Sequence, residues 1–92
     1  MRAGQAYASF LDAELNAASG TLLANLQSPT REVVVESQRL WLQFRDAELR
    51  FIERHWSRER SGTSADLSAA AHRNALTKER IVQLLGYAAE NQ

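Results

Sequence analysis

The stretch Val33-Val34-Val35-Glu36-Ser37-Gln38-Arg39-Leu40-Trp41-Leu42-Gln43-Phe44-Arg45-Asp46-Ala47-Glu48 decides how this chain folds. Followed on toward Trp56, the residues Val34, Ser37, Trp41, Phe44, Glu48, Phe51 and His55 recur at steps of three and four. Val33, Leu40, Ala47 and Phe51 trace the stripe beside them. Such spacing is the period of an α-helix, which gathers each set onto one face. The two stripes predict a long helix over about 29–56 whose apolar face is broad enough for two partner helices.

The boundaries of that helix read outward in both directions. Upstream, Ser28-Pro29 supplies an N-cap and a proline at the first helical position, and Glu32 complements the dipole in the first turn. Before it, Tyr7, Leu11, Leu15, Ala18, Leu22 and Leu26 predict a first helix, with Gly20 permitting a bend. Downstream, Arg58 to Ser64 breaks the pattern and reads as a loop, and Thr63 or Ser64 can cap a third helix. Leu67, Ala71, Asn74, Ile81, Leu84, Leu85 and Ala88 form the expected inward face of that helix. Thr77-Lys78-Glu79-Arg80 interrupts the face with polar groups and marks a kink or break. The expectation is an all-α chain: one domain over 1–92, an antiparallel bundle of three long helices, or four if the last breaks near Thr77.

Composition narrows the functions. Ninety-two residues allow one small core, and an apolar fraction of 45% with seven aromatics is enough to build it. There is no cysteine, which removes disulfides and thiol chemistry. Eleven basic and eleven acidic residues cancel, so the basic excess that drives nucleic-acid binding is missing. No run approaches the roughly 18 apolar residues of a membrane span. The N-terminus lacks the apolar stretch of a signal peptide, so an exported protein would have its leader absent from this chain.

Catalytic constellations are equally scarce. Asp46 and Glu48, like Asp12 and Glu14, stand two apart, which on a helix points them in different directions. His55 and Glu59 have the i, i+4 spacing of a metal pair, but the EXXH element of carboxylate-bundle metal proteins is absent. The reading is of ordinary histidines, no metal, no cofactor and no enzyme. Asp46, Arg50, Arg54 and Arg58 form a charged ridge at successive i+4 steps, read as a solvated face. Trp56, at the end of the long helix beside a Gly/Ser loop, is placed to meet a partner.

The run from Ser37 to Glu48 also resembles the Q-R-x-W-x-x-[FY]-R-D-A-E signature of the LprI-type lysozyme inhibitor family of bacteria. Asp12-Ala13-Glu14-Leu15-Asn16 resembles that family's early D-x-E-L-N element, and Leu76-Thr77-Lys78-Glu79-Arg80 with Leu84 its late L-T-x-x-R-x-x-x-L element. The resemblance spans roughly residues 7–87. Family members typically carry one cysteine directly after R-D-A-E and another shortly before the late element. Here Leu49 and His72 stand in those places, so both halves of the implied bridge are missing.

Read physically, the motif residues Asp12, Asn16, Trp41, Arg45, Asp46, Glu48 and Arg80 are expected to dock the helices, with Trp41, Phe44 and Ala47 facing the core. The expected clamp joins Arg45 to Asp12 or Glu14, and Asp46 or Glu48 to Arg80. The resemblance implies a protein that blocks a peptidoglycan-cleaving lysozyme or another muramidase, in the periplasm or outside the cell. The segment suited to that task is the loop 57–66, with Trp56, Arg58, Arg60, Ser61 and Gly62 as contact residues. The alternatives are a helical interaction or assembly module of another target, such as a homodimer, and a cytoplasmic setting.

Overall fold

A computed structural model describes residues 3–59 and 63–91, and the side chains of 6–55 and 69–91. Three helices follow one another: α1 (Ala3–Ala24), α2 (Thr30–Glu59) and α3 (Thr63–Glu90), with no strand among the described residues. A helix of 30 residues spans about 45 Å, close to the 48 Å long axis of the molecule. Residues of α1 and α3 meet in the same order along both helices, Asp12 with Arg73 and Leu22 beside Leu84 and Ala88. Those of α2 and α3 meet in opposite order, Gln38 with Arg80 and Arg45 with Thr77. The path is therefore up, down and up. Helix α3 packs against both others, whereas α1 and α2 touch only sparsely.

The core follows the α1 stripe closely. Leu11, Leu15, Ala18 and Leu22 are buried, with Leu84 and Ala88 of α3 closing over the last three. Leu26, Val34, Trp41, Leu42 and Ile81 pack around this cluster, and Ile52 is buried farther along α2. Complete burial of a leucine such as Leu15 or Leu84 contributes roughly 1.5–3 kcal/mol.

Helix α3 runs unbroken through Thr77–Arg80, so the described residues form three helices, the first of the two arrangements expected. Other boundaries differ from the sequence expectation. Helix α2 starts at Thr30, one residue beyond the proline. The Ser28–Pro29 peptide is cis, and Ser28 Oγ donates to the Glu32 carboxylate across the turn. At its far end α2 continues to Glu59 and α3 begins at Thr63, so the expected 57–66 loop is helical at both edges.

The inward face of α2 is also rotated from the expected one. Leu42, Arg45, Leu49 and Ile52 turn inward, while Phe44, Ala47 and Phe51 face solvent. The physical reason is that α1 sits on α3, so α2 has one neighbour along most of its length. One of its two apolar stripes is left uncovered.

Candidate functional site: a polar seam through the bundle

The Thr77-to-Arg80 interruption is an interior polar layer. Thr77 is wholly buried, and its hydroxyl donates back to the Arg73 carbonyl at 3.0 Å. That i−4 bond keeps a polar side chain compatible with an unbroken helix. The same oxygen accepts from Arg45 Nη1 of α2 at 3.1 Å. Arg45 Nη1 also reaches Asp12 Oδ1 of α1 at 3.0 Å, and Arg73 Nη2 holds the other carboxylate oxygen at 2.8 Å. One carboxylate is thus shared by two guanidiniums, and all three helices are tied at one level.

Burial by itself would raise the pKa of Asp12. Hydrogen bonds from Arg73 and Arg45, with their Coulomb attraction, outweigh it and hold the carboxyl below its ordinary value of 3.8. Arg45 Nε, Arg73 Nη1 and Asn74 Oδ1 are buried without a hydrogen-bond partner, so the seam carries a desolvation cost as well as a gain.

A second level lies about one turn onward from Thr77 along α3 and two turns back from Arg45 along α2. Arg80, buried on α3, donates through Nε to Gln38 Oε1 at 2.9 Å and through Nη2 to Ser37 Oγ at 3.5 Å, and it also bonds Gln83. Burial pulls the Arg80 guanidinium below its ordinary pKa, opposed by attraction to the Tyr87 phenol. Trp41 connects the levels: the Arg45 and Arg80 guanidinium carbons lie over its ring, 5.4 and 5.7 Å from the centroid. Such cation–π contacts contribute roughly 0.5–2 kcal/mol each.

Of the expected clamp, the Arg45–Asp12 pair forms, while Glu14 is exposed and takes no part. Arg80 meets neither Asp46 nor Glu48. In the antiparallel α2–α3 register it lies level with Ser37 and Gln38, while Arg45 is level with Thr77. Asp46 and Asn16 are exposed, and Glu48 is half-buried. Arg73, Thr77, Gln38 and Gln83 were not anticipated. Their signal was present, because Arg73, Thr77, Arg80 and Leu84 recur at steps of four, three and four on one face of α3. The side chains of Trp56 and Arg58, and all of Arg60, Ser61 and Gly62, lie outside the described residues.

Among the described residues no three His, Asp or Glu side chains gather to hold a metal, and no helix is long and apolar enough to cross a membrane. The polar groups that come together bind helix to helix. The arrangement defines a small three-helix scaffold held together by its interior polar groups. The family model for the lysozyme inhibitor LprI matches residues 2–84, and the chain belongs to that family, whose members are inhibitors and not enzymes. No curated protein and no solved structure matches it.

Proposed function

We propose that this protein binds a peptidoglycan-cleaving lysozyme outside the cytoplasm and blocks its cleft with the segment that joins α2 to α3. The observation behind the choice of segment is the burial of the two motif arginines. Arg45 and Arg80 are less than a tenth exposed and already engaged with Asp12, Thr77 and Gln38. Cations buried in that way hold helices together and are unavailable to a partner.

Arg58 and Arg60 stand at the place where α2 ends and α3 begins. A retaining glycosidase works with two carboxylates about 5–5.5 Å apart. A planar guanidinium is suited to pair with either one in a bidentate manner. Gly62, lacking a Cβ, lets backbone approach the cleft wall, and Trp56 offers an aromatic anchor at the base.

The test is muramidase activity on cell-wall substrate with this protein titrated in, against basic and bacterial lysozymes. Stoichiometric inhibition that is lost in an Arg58→Ala/Arg60→Ala variant of unchanged helicity supports both function and segment. Inhibition that survives the double substitution keeps the function and moves the contact elsewhere. No inhibition of any lysozyme at micromolar excess overturns the reading.

A further inference from the structure

We propose that α2 is a self-association surface on which a second copy of this chain docks, α2 against α2 and antiparallel. Val33 is 66% exposed, Leu40 50%, Phe44 50% and Phe51 64%. With exposed Ser37 and Ala47 they follow one another at steps of four, three, four, three and four. That is the a/d seam of a coiled coil, about 27 Å long on a helix. At its N-terminal end the surface opens into a groove of about 490 Å³ lined by Glu32, Val33, Glu36, Ser37 and Leu40. Four of these stand at i, i+3, i+4 and i+7, the four corners of a hole that accepts a side chain from a facing helix.

Charge along the flank of the seam selects the occupant. In the column directly beside the seam, Glu36 flanks the N-terminal half, Gln43 the middle and Arg50 the C-terminal half, all exposed, and Glu36 also holds Arg39 of its own helix. A second copy laid parallel would set this flank against the opposite edge of the seam, where Trp41, Glu48 and His55 offer no matching row of charges. Laid antiparallel about a two-fold axis near Gln43, it brings Glu36 against Arg50 of the second copy, and the symmetric pair forms as well. The same alignment puts Phe44 opposite Leu40 and Phe51 opposite Val33. Ala47 then sits over Ser37 at the groove, so large and small layers alternate. The contact is self-complementary and closes at two copies.

The experiment is sedimentation equilibrium of the full chain from micromolar to millimolar concentration, with helicity followed by circular dichroism. The expected result is a species of twice 10.3 kDa. Phe44→Glu should abolish it with no loss of helicity, since the site is at the surface. Glu36→Arg and Arg50→Glu should each weaken it by about tenfold or more, because each creates two like-charge contacts. Mixing these two variants should restore the dimer as a heterodimer. Within one chain the two sites are about 21 Å apart, so rescue reads contact between copies. A chain that stays at single mass up to millimolar concentration overturns the proposal and leaves the seam to another partner. A dimer indifferent to Phe44→Glu, or to the charge reversals and their mixture, overturns it too.

Discussion

At the scale of single residues, the seam turns on atoms that serve two partners at once. Thr77 Oγ1 is the acceptor for Arg45 and the donor to Arg73. Thr77→Val keeps the shape and removes both bonds, leaving a buried cation short of a partner. The expected loss is about 1.5–3 kcal/mol in a urea titration, more than the loss of a neutral hydrogen bond. Asp12 gives the chain an acid sensitivity. Its folded-state pKa lies below 3.8, so near that pH the unfolded chain binds more protons than the folded one. The stabilisation is complete above the unfolded value and disappears as pH falls through the folded one. Thermal melts should therefore show wild type losing an advantage over Asp12→Asn below about pH 4, and holding it between pH 5 and 7. An unchanged difference across that range would count against the shared carboxylate.

At the scale of elements, legibility divides between helix and face. The stripe on α1 is strict and its inward side is as read from Leu11 onward, with Tyr7 left exposed. On α2 the period correctly gives the helix, but the broad apolar face offered two inward directions. Which one is covered depends on where α1 sits, a tertiary fact that periodicity does not carry. Phe44 and Phe51 were assigned to the wrong side for that reason, and Arg45 took an inward place that no apolar count predicts. The break expected at Thr77 came from treating buried polar groups as foreign to a core. The proposed contact segment beyond Trp56 is legible only as composition. Two substitutions separate the faces: Leu84→Ala should cost about 2–5 kcal/mol, and Leu40→Ala about 0.5 kcal/mol or less in the monomer. Helix propensity gives a gain in the other direction. A Cβ added at Gly20 or Gly86 meets nothing within 4 Å, so Gly20→Ala and Gly86→Ala should each stabilise by up to about 1 kcal/mol in thermal melts.

At the scale of the whole molecule, α3 is the member that both other helices need. Helices α1 and α2 barely touch, so the turn between them acts mainly as a tether. Doubling its length with Gly and Ser inserted after Asn25 should cost only about 0.6 kcal/mol and leave the cooperativity of unfolding intact. A loss of several kcal/mol there would show that the turn does more than connect. The bundle is long and thin for its mass, with one apolar cluster among Leu15, Ala18, Leu22, Leu84 and Ala88, and a polar level beside it. Trp41 stands between the two, with a guanidinium from α2 and another from α3 over its ring. It is consequently a natural optical gauge of helix docking. In a Trp56→Phe background its indole is the only one left, and its near-ultraviolet ellipticity should vanish when α3 slides or detaches, even where the far-ultraviolet helix signal persists.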